Sequence, residues 1–149
     1  MNVINNQLDE LKRLHKYSLK SAKLGLWSAI LVLMGIIFSI IGAAVILPLS
    51  VNSNINAIVD TILIVSFVVI AIQVILYIAT FVIGIIWLVF SILALVESIK
   101  ISKESFKQER TEIILMLSLG LGFLIVFGLG FIFQFIASSK INKLINKIK

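Results

Sequence analysis

The chain has 149 residues, of which 60% are hydrophobic and 13% are charged, and its formal net charge is +6. Typical globular chains are about 45–50% apolar and about 25% charged, and a soluble domain of this size cannot hide so much apolar surface. These values exclude an ordinary soluble domain and predict an all-α, polytopic integral membrane protein.

Residues 1–23 are predicted to form a basic amphipathic helix. The apolar face, at helical spacing, consists of Ile4, Leu8, Leu11, His15, Leu19 and Ala22. The basic face consists of Lys12, Arg13, Lys16, Lys20 and Lys23. This pattern favours a helix that lies on the membrane surface, with its cations on anionic lipid headgroups of the cytoplasmic face. In the alternative interpretation, the apolar stripe docks on a partner helix.

Residues 24–49 form the first predicted membrane span. A helix of this length extends about 39 Å, which is enough to cross a hydrocarbon core of about 30 Å with some tilt. Pro48 is expected to end the helix, and the polar residues 50–57 supply a turn.

The next apolar run, residues 57–96, is too long for one span. As a single helix it would extend about 60 Å, about twice the thickness of the hydrocarbon core. We therefore predict two spans, residues 57–75 and 79–98, joined by a turn between Gln73 and Thr80. The second of these spans is predicted to continue as a charged helix as far as residue 112.

Residues 113–138 form the last predicted span, and residues 139–149 form a second basic amphipathic helix. In this tail, Lys140, Lys143 and Lys147 are expected to contact lipid headgroups. Because both termini are strongly basic, the positive-inside rule places both in the cytoplasm. Two cytoplasmic termini require an even number of spans, so we predict four transmembrane helices in the cell membrane.

Small residues recur in three of the predicted spans at the spacing of helix–helix seams. They are Ser28, Gly35, Ser39, Gly42 and Ala43 in the first span, Thr80 and Gly84 in the third, and Ser118, Gly120, Gly122, Gly128 and Gly130 in the last. Such seams let helix backbones approach closely. Close packing matters in a membrane because the hydrophobic effect does not drive helices together in lipid. They serve packing within the chain or contact with another chain, and the pattern leaves both open.

Polar side chains inside the predicted spans are few. Asp60 lies near the outer end of the second span, where we expect an interfacial or capping role, with a functional carboxylate as the alternative. Gln73 and Gln134 are candidates for hydrogen bonds between helices. Trp87 falls in the middle of a span, which indicates buried packing rather than anchoring at a membrane boundary.

No catalytic, cofactor-binding or metal-binding site is predicted. The sequence contains no cysteine, which excludes a thiolate metal site and a Cys nucleophile. Its single histidine, His15, has no acid–base or metal partner at helical spacing. The basic residues flank apolar spans, so no nucleic-acid partner is expected either.

The sequence thus favours a non-catalytic accessory or scaffold subunit whose seams pack against other membrane protein subunits or against a second copy. The alternative is a small transporter, channel or holin-like oligomeric pore, although a conducting path normally needs a polar lining. The frequent use of Ile, Lys, Asn and Phe indicates an AT-rich genome, and we expect a bacterial source.

Overall fold

The computed structural model describes residues 2–51, 55–101, 107–127 and 129–148, and within them all regular structure is helical. The helices are α1 (Asn2–Val51), α2 (Ile55–Lys100), α3 (Lys107–Phe127) and α4 (Gly130–Ile148). The stretches Asn6–Ala44 of α1 and Ile62–Lys100 of α2 are long and apolar enough to cross a membrane. The prediction of an all-α fold is confirmed, and two helices meet the length and composition requirements of a span.

Helix α2 has no turn at the predicted position. Residues 73–80 are helical throughout, so the predicted turn between Gln73 and Thr80 is absent and the division into spans 57–75 and 79–98 is not confirmed. No Gly, Pro or Asn lies between Gln73 and Thr80 to end a helix. The hydroxyl of Thr80 donates a hydrogen bond to the carbonyl oxygen of Leu76 at 2.8 Å, so its polar group is satisfied inside the helix.

The predicted last span, residues 113–138, is interrupted. Helix α3 ends at Phe127 and α4 begins at Gly130. The sequence Phe127-Gly128-Leu129-Gly130 disfavours a continuous helix, because glycine is a poor helix former. Because α2 lacks the predicted turn and the last apolar stretch is interrupted, the structure does not confirm four spans.

Helices α3 and α4 run in opposite directions. Near the start of α3, Glu112 forms an ion pair with Lys140 of α4. Further along α3, a Cβ atom added at Gly120 would lie 3.0 Å from the carbonyl oxygen of Gly130, the first residue of α4. Residue numbers therefore fall along α4 as they rise along α3, and the two helices form a hairpin.

The chain divides into two compact units. The first, Met1–Trp27 with Ile83–Lys149, contains segments of all four helices, and we call it the bundle unit. The second, Ser28–Val82, contains the remainder of α1 and α2, and we call it the hairpin unit.

All four helices contribute to the core of the bundle unit. The buried apolar residues are Leu11, Leu14, Ala94, Ile101, Ile113, Leu117, Ala137, Ile141, Leu144 and Ile145. Both terminal segments therefore cover their apolar faces with helices of the same chain. The apolar stripe of residues 1–23 thus packs on other helices of the same chain at Leu11 and Leu14, as in the alternative interpretation, and the placement of the terminal helices on a membrane surface stays a prediction.

Helix α1 approaches α2 and α4 closely at Gly25 in the bundle unit. A Cβ atom at Gly25 would lie 2.6 Å from the indole nitrogen of Trp87 and 2.6 Å from Cβ of Phe131. Real Cβ atoms do not come so near to other heavy atoms, so only glycine fits here without displacing a neighbour. Gly25 was not among the predicted seam residues.

Candidate functional site

The hairpin unit contains a groove between α1 and α2. It encloses about 80 Å³ and is lined by Leu31, Val32, Gly35, Ile36, Ser39, Gln73, Leu76, Tyr77 and Thr80. The two helices are antiparallel here, because Ser39 contacts Gln73 while Gly42, further along α1, lies against the earlier residue Val69 of α2.

Hydrogen bonds satisfy polar groups of this groove in otherwise apolar surroundings. The amide nitrogen of Gln73 donates to the hydroxyl of Ser39 at 2.5 Å. The Ser39 hydroxyl donates to the carbonyl oxygen of Gly35 at 2.9 Å. A hydrogen bond between helices in a membrane contributes about 0.6 kcal/mol on average and up to about 2 kcal/mol. The Gln73–Ser39 bond therefore helps to set the pairing of the hairpin.

The groove combines four residues that were predicted separately, namely Gly35, Ser39, Gln73 and Thr80. A Cβ atom at Gly35 would meet no other atom within 4 Å. Contact with the other helix of this hairpin therefore does not require glycine at this position. The added Cβ atom would point into open space in the groove.

The outer surface of the hairpin unit is strongly apolar. The exposed fraction is 75% at Phe67 and 62% at Leu63, and most other large side chains of this unit are exposed as well. The side chain of Asp60, predicted to be interfacial, lies outside the described residues.

A buried polar cluster joins three helices of the bundle unit. It consists of Ser21 from α1, Trp87 and Ser91 from α2, and Gln134 from α4, and each is at most 1% exposed. The indole N–H of Trp87 and the hydroxyl of Ser21 both donate to the Gln134 side-chain oxygen, at 3.0 and 2.6 Å. The Gln134 amide nitrogen donates to the Ser91 oxygen at 2.8 Å.

The chemistry of Trp87 fixes the direction of these bonds. An indole N–H can only donate, so the amide oxygen of Gln134 must face it and the amide nitrogen must face Ser91. The Ser91 hydroxyl then donates either to Ser21 at 2.6 Å or to the carbonyl oxygen of Trp87 at 2.9 Å. Among the described residues, no buried side-chain N or O atom lacks a hydrogen-bond partner.

This cluster specifies how the helices of the bundle unit pair. Hydrogen bonds are stronger in the low dielectric of a protein interior, and an unpaired buried group is costly there. A shift of any of the three helices along its axis would break several bonds at once. Ser21 and Ser91 were not predicted, although Trp87, Ser91, Ala94 and Ser98 recur on one helix face at spacings that could have revealed a seam.

His15 of α1 contacts Ser138 of α4, a partner that the spacing of residues within α1 could not predict. Its Nδ1 atom lies 3.1 Å from the hydroxyl oxygen and 3.2 Å from the carbonyl oxygen of Ser138. Ser138 is 2% exposed, so its hydroxyl is closed to a substrate. The contact fastens α1 to α4. Among the described residues, no group of His, Asp and Glu is arranged to hold a metal ion.

Charged residues border an open cavity of about 220 Å³ between α3 and α4. Lys140, hydrogen-bonded and ion-paired to Glu112, lowers the pKa of that carboxyl group below its ordinary value. The pair therefore stabilises the folded protein above the ordinary glutamate pKa, and this contribution is lost as the pH falls through the lowered pKa. Both side chains are partly exposed, so the contribution is small.

The predicted headgroup-binding lysines are mostly exposed. The exposed members are Lys12, Arg13, Lys16, Lys20, Lys23, Lys143 and Lys147, and Lys140 is half-buried. The ammonium group of Lys20 lies 5.3 Å from the ring centroid of Phe90, within the range of a cation–π interaction.

The other predicted packing residues are scattered. Gly42 is buried against Val69, and Gly120 lies against Gly130. Gly84 and Gly122 face open space, with no atom within 4 Å of an added Cβ. Ser28 is half-buried, and Ala43 and Ser118 are exposed. Gly128 lies outside the described residues.

No known protein family, no characterised protein and no solved structure matches this chain. Its function is therefore inferred from its own residues and contacts.

Replacement of Gln134 by Ala is expected to destabilise the bundle unit, because Trp87 and Ser21 lose their shared acceptor. Each buried group left unpaired costs about 1–3 kcal/mol. The matched control is Asn142→Ala at an exposed position of the same helix, where we expect a change within about 0.5 kcal/mol. Thermal unfolding in detergent measures both variants.

Combination with Trp87→Phe tests the same cluster more strictly. The second substitution removes one of the donors that Gln134→Ala leaves unpaired, so the double variant should lose less stability than the sum of the single variants. Additive losses, or equal stability of Gln134→Ala and Asn142→Ala, would contradict the hydrogen-bond network.

Proposed function

We propose that the protein is a non-catalytic, membrane-embedded accessory or scaffold subunit whose exposed apolar helices pack against other membrane helices. The observation that carries the proposal is the unbroken course of α2. Its apolar residues 57–96 give about 60 Å of helix, whereas the hydrocarbon core is about 30 Å thick. Even a tilt of about 40°, the upper end of the observed range, accommodates only about two thirds of this length.

The hairpin unit is sufficient to cross the membrane by itself. Its apolar segments, residues 28–47 of α1 and residues 61–82 of α2, extend about 30 and 33 Å, which matches the hydrocarbon thickness. We therefore replace four spans by two, joined through residues 52–54. Both termini then lie on the same face, and the lysines and arginine of the terminal helices favour the cytoplasmic face of the cell membrane, with anionic headgroups as lipid partners.

If residues 61–82 of α2 form the span, the apolar residues 83–96 exceed the length of helix that the membrane can cover. One face of this segment is covered within the bundle unit, as the burial of Trp87, Ser91 and Ala94 shows. The opposite side still exposes large apolar residues, including Ile85 and Val89. Exposure of a large apolar side chain to water costs about 1.5–3 kcal/mol. A protein partner that covers these residues removes this cost, which favours a subunit of a larger assembly.

The groove at Gly35 supports the same proposal. A small residue with open space above it admits a close helix or a bulky side chain from another subunit. The groove also supports the alternative of an oligomeric pore, because Ser39, Gln73 and Thr80 could line a narrow path. The purified protein in liposomes discriminates between the two, since a selective current requires a pore.

Cysteine labelling in cells tests the two-span topology, because the native chain has no cysteine. We expect a membrane-impermeant maleimide to label Ser53→Cys in intact cells. Asn6→Cys and Asn142→Cys, near the two termini, should react only after the membrane is permeabilised. Labelling of either terminal cysteine in intact cells would contradict the proposed orientation.

Purification from native membranes in mild detergent tests the scaffold role. We expect a stoichiometric complex with at least one further membrane subunit. Gly35→Leu, which fills the groove, should reduce the amount of that subunit, whereas Gly122→Leu, the same change at another open glycine, should not. A ring of this chain alone would favour the pore, and a monomer without partners would contradict both functions.

A further inference from the structure

Charge is segregated along the antiparallel pair of helices α3 and α4 in the bundle unit. All charged residues of the pair lie at one end, in residues 107–112 of α3 and 140–149 at the C-terminus. Residues 113–139, which include the break between the two helices, contain no charged residue. We call residues 120–133, around the break, the α3–α4 tip.

The α3–α4 tip presents apolar side chains on its surface. The exposed fraction is 38% at Phe123, 49% at Leu129 and 44% at Ile132. The rings of Phe123 and Phe133 lie with their centroids 5.0 Å apart, which fastens α3 to α4 at the tip. The tip is therefore a defined apolar surface at one end of the helix pair, opposite the charged end.

The uncharged arms of this pair are too short to cross a membrane. Residues 113–127 of α3 extend about 22 Å and residues 130–139 about 15 Å, whereas the hydrocarbon core is about 30 Å thick. Short apolar helices of this kind are typical of re-entrant or interfacial segments as well as of buried cores. Because both arms reach charged residues at the same end, the pair can enter a bilayer only with its tip and from one side.

Contacts within the bundle unit show at which end of α1 the tip lies. His15 of α1 contacts Ser138 of α4, and Gly25, further along α1, lies against Phe131. Residue numbers therefore fall along α4 as they rise along α1, and the tip lies where α1 reaches Trp27. The proposed membrane span of α1 begins with the next residue.

We propose that the α3–α4 tip inserts into the acyl-chain region of the cytoplasmic leaflet without crossing the membrane, while the charged end stays in water. The proposal rests on the proposed function, which places the membrane boundary next to Trp27. Interfacial helices bury their apolar faces about 5–10 Å into the boundary between headgroups and acyl chains. Insertion to this depth covers Leu129 and the neighbouring exposed side chains of the tip.

The segregation of charge favours lipid over a protein as the occupant of this surface. A bilayer imposes one polarity along the membrane normal and excludes charge from the inserted end, as observed here. A protein partner would impose no such gradient along the helix axes. The backbone of the break limits the depth, because irregular backbone exposed to lipid is not tolerated within the hydrocarbon core. The N–H of Ile132 donates to the carbonyl oxygen of Leu129 at 3.1 Å, and water at the headgroup level is available to other backbone groups.

Spin labels on single cysteines test the proposal with the full chain in liposomes of phosphatidylcholine and phosphatidylglycerol. Collisions with oxygen, which concentrates among acyl chains, are compared with collisions with a water-soluble nickel chelate present on both sides. Leu129→Cys at the tip and Leu115→Cys nearer the charged end are matched leucines, with exposed fractions of 49% and 52%. We expect the ratio of oxygen to nickel collisions to be severalfold higher at position 129 than at 115. Ile132→Cys repeats the tip measurement, and Ile70→Cys, exposed in the middle of the proposed span of α2, is the reference for the bilayer.

The other outcomes overturn the proposal in distinguishable ways. If the tip labels collide with nickel while the label at position 70 is shielded from it, the tip lies in water and the insertion alone is overturned. Tip labels shielded from both reagents show that protein covers the tip. Equally high ratios at positions 129 and 115 show that the helix pair lies wholly within the bilayer. A label at position 70 that collides with nickel overturns the proposed span, and the insertion of the tip with it.

Discussion

An apolar helix surface must be covered by hydrocarbon or by protein, and α2 has more apolar length than a bilayer can cover. Its residues 57–96 correspond to about 60 Å of helix against a core of about 30 Å. A chain can resolve such a mismatch by turning back or by recruiting protein. The described structure has no turn in α2, which is why we propose that protein covers the difference. Part of that cover comes from α1, α3 and α4 in the bundle unit, whereas Ile85 and Val89 of α2 remain exposed there.

Apolar packing alone specifies such an assembly poorly, since nearly every position of α2 is Ile, Val, Leu or Phe. Polar groups supply the missing specificity. Gln134 offers one acceptor and one donor group to three side chains, and a displaced helix would leave them unpaired in a low dielectric. The Gln73–Ser39 bond serves the same purpose in the hairpin unit. Gly25 allows Trp87 to approach α1 closely enough to reach this network.

The all-α class was predictable from composition and apolar length, and four groove residues were identified individually. Their meeting in one groove was not predictable, because it depends on the pairing of α1 with α2. The turn in α2 was wrongly predicted because the prediction considered only lipid and water as surroundings and gave no weight to cover by protein. The break between Phe127 and Gly130 was missed because the glycines of this stretch were interpreted as packing residues and their low helix propensity was given no weight.

The terminal helices show a similar ambiguity. An amphipathic stripe with flanking lysines suits a membrane surface and a helix bundle equally well, and only the long-range contacts of Leu11, Leu14 and Ile141 distinguish them. Ser21 and Ser91 were missed for the same reason, since a serine on an apolar helix reveals its role only when its partner on another helix is known.

The most direct test of the central claim is a distance measurement between spin labels on Leu63→Cys and Val82→Cys, both exposed in the hairpin unit. The labelled chain is reconstituted in liposomes and diluted with unlabelled chain, so that only distances within one molecule contribute. An unbroken α2 places the two labels about 28 Å apart along the helix. A distance shorter than about 20 Å, below what the helical rise per residue allows, would show that the chain turns back between them. That result would contradict the unbroken α2 and remove the need for a partner.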